Sequence, residues 1–208
     1  MTLYDITRAI TPGLAVWPGD TPYSSRRLMR IAEGDACNLS TLTLSAHTGT
    51  HADAPYHFDA GGQTIGQVSL ERYLGPATVV ALPALEGALF PEHLNGIDLK
   101  RVERLLIHTP ASALPDGYFP KTFVYPTPET ARLLVEHQVK LFGTDSPSVD
   151  PLTSETLEAH KVFCLGGVAL LEGLQLRDVP QGEYELIALP LKLDGDGSPV
   201  RAVLRSVG

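Results

Sequence analysis

The chain has 208 residues, 43% hydrophobic and 19% charged, with a formal net charge of −8, the composition of one soluble domain over residues 1–208 with a sizeable core. Its acidic balance excludes nucleic acid as the expected partner: the longest basic feature is the Arg26-Arg27 pair followed by Arg30, and phosphate binding needs a basic face. No 18-residue apolar span occurs and Met1-Thr2-Leu3-Tyr4-Asp5 opens no leader pattern, so the expectation is a cytoplasmic protein with no membrane partner.

The first element in chain order is a strand over 41–47, where Leu42, Leu44 and Ala46 alternate with Thr41, Thr43, Ser45 and His47. That period of two describes a half-buried strand, with His47 at its end on the polar face. Gly49 breaks the pattern, so a turn, not a helix, is expected to join His47 to His51. Aliphatic runs bounded by Gly or Pro predict strands over 77–82, 105–108, 139–143, 168–171, 184–189 and 200–204. A helix is expected over 128–137, with Thr127 as N-cap, Pro128 in the first turn, and Ala131, Leu134 and Val135 on one face. A second, shorter helix over 154–160, capped by Thr153 or Ser154, would place His160 at its C-terminal end. Glycines and prolines are spread through the connections with no internal repeat. The class is α/β, one domain with a strand-rich core.

Cys37 and Cys164 form no CxxC pattern and are read as buried small hydrophobes, neither a zinc finger nor a disulfide. Chemistry concentrates instead in His47-Thr48-Gly49-Thr50-His51-Ala52-Asp53-Ala54-Pro55-Tyr56-His57. A lone histidine, such as those at 93, 108, 137 and 160, is most often a surface or satisfied core residue. Three histidines and an aspartate within eleven residues are costly to bury without a common partner, and a divalent cation fits them. His and carboxylate ligands without cysteine are the catalytic type of metal set. Asp53 is the one carboxylate inside the motif and the candidate bridge between two ions. His47, His51 and Asp53 are therefore assigned to metal, leaving His57 as a general acid/base.

The motif matches the signature of the metal-dependent cyclase-like hydrolases. Trp17-Pro18-Gly19-Asp20-Thr21-Pro22, the segment Gly143 to Pro151, Glu172-Gly173-Leu174, Leu189 to Leu193 and Ser198 to Val203 are similar to the bacterial kynurenine formamidase branch. The resemblance implies two metal ions, zinc with manganese or cobalt as alternatives. Their ligands would be His47 and His51 for the first, Asp53 as bridge, and His160 with Glu172 for the second. It also implies His57 as acid/base and Trp17 as a substrate contact. The implied activity is hydrolysis of N-formyl-L-kynurenine to L-kynurenine and formate in tryptophan breakdown. An isatin-type or cyclic-amide hydrolase is the alternative, and a noncatalytic metal-binding protein of the same fold is the more distant one. The implied fold is a barrel-like mixed sheet with peripheral helices, of the swivelling β/β/α type, assembled as a homodimer or larger homo-oligomer. Taken without the resemblance, Glu172 reads equally as a surface strand cap, Trp17 as packing, and Asp145 and Asp150 as turn and capping residues; both aspartates stay outside the catalytic set.

Overall fold

In the computed structural model, which describes residues 1–207, the strands in chain order are β1 (Leu3–Asp5), β2 (Ser24–Met29), β3 (Leu39–Thr43), β4 (His51–Asp53), β5 (Leu74–Ala81), β6 (Ala88–Leu89), β7 (Arg104–His108), β8 (Tyr125–Pro126), β9 (Leu141–Thr144), β10 (Ala169–Glu172), β11 (Gly182–Ile187), β12 (Gly197–Pro199) and β13 (Val203–Ser206). Two α-helices, α1 (Pro128–Glu136) and α2 (Glu158–Leu165), complete the set, with short 3-10 turns between. Nine strands form one mixed sheet in the order β1-β13-β11-β5-β7-β9-β10-β4-β12. The β5-β7-β9-β10 stretch is parallel and both flanks are antiparallel. The expected α/β class with a strand-rich mixed core is the one observed.

Side-chain alternation sorts the apolar residues into two cores. Val79, Leu106, Leu141, Leu171, Leu186 and Leu204 pack on one face with Ile6 and Tyr73. Val80, Leu105, Ile107, Phe142 and Leu170 point the other way, against α1 and α2, where Phe142 stacks on Phe163 at 5.2 Å. Strands buried on both faces read as continuous aliphatic runs, which is why β5, β7, β9 and β10 were visible in sequence to within three residues. Helix α1 starts as expected, the Thr127 hydroxyl accepting from the Thr130 N–H.

Several expectations are corrected. The strand over 41–47 is instead β3, which ends at Thr43, and His47 lies in the turn that follows, its N–H donating to Ser45 Oγ. Nor is that strand half-buried: β2 and β3 pair only with each other, and Leu28, Leu39 and Leu42 are exposed. The alternation describes a face with nothing of its own chain to pack against. Helix α2 begins four residues later than expected, so His160 lies in its first turn, not at its C-terminal end. Ser154 takes part in the preceding turn, accepting from the Leu157 N–H, and the cap comes from Asp150. The strand over 200–204 begins at Val203, Val200 making an isolated bridge to Pro190. Cys37 is exposed and Cys164 half-buried; a small apolar side chain on an open hairpin has no core to enter.

Candidate metal centre

Register brings the ligand candidates together. β10 and β4 run antiparallel with Leu170 opposite Asp53 and Glu172 opposite His51. Because Ala52 and Leu171 face the first core, alternation turns His51, Asp53 and Glu172 to the opposite face, beneath the first turn of α2. There His160 Nε2 lies 3.1 Å from Glu172 Oε1 and 3.7 Å from Asp53 Oδ2, while His51 Nε2 lies 3.4 Å from both Asp53 Oδ1 and Glu172 Oε2. His47 Nδ1 is 3.0 Å from Asp53 Oδ1. All five expected ligands thus converge, in two sets that share Asp53: His47 with His51, and His160 with Glu172.

The turns on either side of β4 and β10 fit each other closely. Thr50 Oγ1 donates to the Gly173 carbonyl, and Gly173 has φ +63° with room for a Cβ only 2.4 Å from the Gly49 carbonyl. Any larger residue at 173 would push the His47–His51 turn away from Glu172.

The fit to a cation can be read from the donors. His51 Nδ1 donates to the Gly49 carbonyl and His160 Nδ1 lies 2.6 Å from Asp150 Oδ2, so each ring presents Nε2 to the carboxylates. Asp150 also accepts from the N–H groups of Ala159 and His160, capping α2 where Leu157 stands in a left-handed conformation with no side-chain cap. The expected capping role of Asp150 is therefore real, and it orients the His160 ring of the candidate centre as well. Asp53 and Glu172 are almost completely buried. Burial opposes charge on His51 and His160, yet hydrogen bonds to Asp53, Glu172 and Asp150 outweigh it and push both pKa values up to about 10. Burial likewise works against ionising Asp53, but His47 and His51 hold its carboxyl well below the ordinary range. Two buried carboxylates that drag protons onto neighbouring imidazoles mark a place that demands positive charge. The residues fit divalent cations.

His57 lies at the rim, partly exposed, its ring 4.2 Å from that of His47. The cavity over the cluster has a volume of about 430 Å³, and Trp17 and Phe119 line it edge to face at 5.5 Å. Trp17 is half-buried on the cavity wall. Asp145 also reaches this wall, but its oxygens accept from the N–H and hydroxyl of both Thr109 and Ser112, a buried knot that secures the turn after β7. Burial is the main reason its pKa is raised. Two residues near the centre, Asp196 and Phe119, escaped sequence reading; the only hint of Asp196 was its place before Gly197-Ser198-Pro199.

Residues 4–151 match the family model described as "Putative cyclase". A solved structure of a "potential metal-dependent hydrolase with cyclase activity" is 30% identical, covering 98% of this chain and 96% of its own, with a TM-score of 0.85. A structure described as a "predicted metal-dependent hydrolase from Bacillus stearothermophilus" is 28% identical over 98% and 97%, also with a TM-score of 0.85. Isatin hydrolase A from Labrenzia aggregata, bound to benzyl benzoate, is 26% identical over 98% and 93%, with a TM-score of 0.86. With the family model spanning most of the chain and metal-dependent hydrolases as its structural neighbours, this protein belongs to the cyclase family.

Proposed function

We propose that the protein is a metal-dependent hydrolase of N-aryl amides whose substrate is N-formyl-L-kynurenine, cleaved to L-kynurenine and formate. The observation that carries this reading is the convergence of three histidines and two carboxylates at the floor of a cavity walled by Trp17 and Phe119. Two divalent ions, zinc by preference, would be held by His47, His51, Asp53, His160 and Glu172. They would supply polarisation of the formyl carbonyl and a lowered pKa for the attacking water.

The chain's own residues do the rest. His57, at the rim and outside the buried set, takes a proton from the water as its oxygen bonds to the formyl carbon. It returns that proton to the aryl nitrogen as the C–N bond breaks. The Trp17 indole offers its face or edge to the substrate's aniline ring, a contact contributing about 0.5 to 1.5 kcal/mol beyond area burial. The isatin hydrolase neighbour favours a second reading, ring-opening of a cyclic aryl amide; the two substrates share the aryl–nitrogen–carbonyl unit. Hydrolysis of N-formyl-L-kynurenine, isatin and formanilide should be measured in parallel, with and without chelator. The formyl amino acid should be turned over at least tenfold faster in kcat/KM than either alternative, with all activity lost to chelator. Faster turnover of isatin would replace this substrate with the second reading, and chelator-resistant turnover would remove the metals.

The partner we propose for the β2–β3 hairpin is a second copy of the chain. Isolated two-stranded ribbons are marginal in water, and this one exposes Leu28, Ile31, Leu39 and Leu42 beside Arg26 and Arg27, cations on a chain whose net charge is −8. Light scattering on the purified protein should give twice the chain mass at micromolar concentration. The double substitution Leu28→Glu, Leu42→Glu should halve it, and a monomeric wild type would refute the assignment.

A further inference from the structure

The loop between β11 and β12 carries a carboxylate to the mouth of the site and is tied to the segment that bears the histidines. The Ala54 N–H donates to the Asp196 carbonyl, the Ile65 N–H to that of Gly195 and the Gly66 N–H to that of Leu193, each at 2.9 Å. Gly197 pairs with Asp53 in the β12–β4 register. Held this way, Asp196 Oδ2 lies 3.0 Å from His47 Nε2 and 3.2 Å from His57 Nδ1. One carboxylate oxygen therefore serves two rings, and because an ionised carboxylate only accepts, both facing nitrogens carry hydrogen. His47 is held between two carboxylates, its Nδ1 facing Asp53 Oδ1 at 3.0 Å, whereas Nε2 of His57 has no such partner and keeps its lone pair. Gly197 makes room for this: a Cβ there would come within 2.9 Å of His47 Cε1.

We infer that Asp196 is the positioning residue of the site: it fixes His57 as the Nδ1–H tautomer, with Nε2 left to move the proton, and orients the His47 ring with Nδ1 toward Asp53, where a cation would bind. The role given to His57 rests on the hydrolase reading; its tautomer and the orientation of His47 do not. A proton gained by Nε2 of His57 produces an imidazolium whose Nδ1–H already points at a carboxylate, so the charge forms where an anion is waiting. The His47 contact is the carboxylate–histidine–metal arrangement that raises ligand basicity and fixes the ring.

The test combines nitrogen-15 NMR of the imidazole rings, chelator competition and kinetics, all on zinc-loaded protein. Wild type should show His57 with the proton on Nδ1. Asp196→Ala should shift it toward Nε2–H and weaken zinc binding roughly 10- to 100-fold. Asp196→Asn, whose amide oxygen still accepts, should restore both. At saturating zinc, Asp196→Ala and His57→Ala should each lower kcat about a hundredfold with KM unchanged, His57→Ala keeping its metal. The double variant should be no slower than His57→Ala alone, because groups acting as a unit are not additive. An unchanged tautomer in Asp196→Ala, or a further tenfold loss in the double variant, would overturn the inference. Absence of turnover on every aryl amide would instead refute the hydrolase reading, since the NMR and zinc arms need no substrate.

Discussion

Asp53→Ala is expected to be purified without metal and to lose hydrolytic activity by three orders of magnitude or more. Asp53 is the one residue common to both ligand sets, with one oxygen 3.0 Å from His47 and 3.4 Å from His51 and the other 3.7 Å from His160. Its removal takes a ligand from each prospective ion and, more importantly, a buried negative charge that faces three imidazoles. Losing a cation forfeits several kcal/mol of transition-state stabilisation, and about 1.4 kcal/mol corresponds to each factor of ten. The loss is expected without unfolding, because Ala52 and Ala54 on either side of Asp53 carry the core packing of this segment. The variant should therefore retain wild-type circular dichroism while elemental analysis finds less than a tenth of the wild-type metal. Asp53→Asn, which keeps the shape without the charge, should behave nearly the same. Full metal content in either variant would sink the bridging role of Asp53.

The contrast between what sequence showed and what it hid follows from range. His47, His51, Asp53 and His57 were legible because eleven residues hold them and because such donors have no reason to crowd without a shared partner. His160 and Glu172 carry no local signal. They join the site only because β10 pairs antiparallel with β4 in a register that places Glu172 opposite His51, and because α2 lays its first turn over that pair. Registers of non-adjacent strands are set by the whole sheet, so only family resemblance could have named those two residues. The same applies to Asp196, which reaches His47 across 149 positions. The parallel strands were readable because burial on both faces leaves continuous aliphatic runs, whereas the three-residue strands β1, β4 and β12 are too short to show a period. The β2–β3 hairpin misled for a physical reason: an alternating pattern reports the spacing of apolar side chains, not whether the rest of the chain packs against them.

Metal affinity is expected to rise steeply with pH, by up to roughly a hundredfold per unit between pH 7 and 9, and loading is expected to release about two protons. The sign follows from the metal-free state. The carboxylates Asp53 and Glu172 lift His51 and His160 from the ordinary value of 6.5 to about 10, against the opposing effect of burial. Across the neutral range both rings are thus imidazolium, and Nε2 of each must lose its proton before it can bind a cation. As the pH climbs toward 10 that cost disappears, and affinity should level off. Stability of the metal-free protein runs the opposite way. A raised histidine pKa contributes stability that is complete below 6.5, the unfolded value, and is lost as the pH rises through 10. The metal-free form should therefore soften over this window while the loaded form, its rings neutral and ligated, should not, so the gap between their melting temperatures should widen. Calorimetry of zinc binding at pH 8 in buffers of different ionisation enthalpy counts the protons directly. A release near zero would mean that the rings are neutral before metal arrives, and that the buried carboxylates are compensated in some other way.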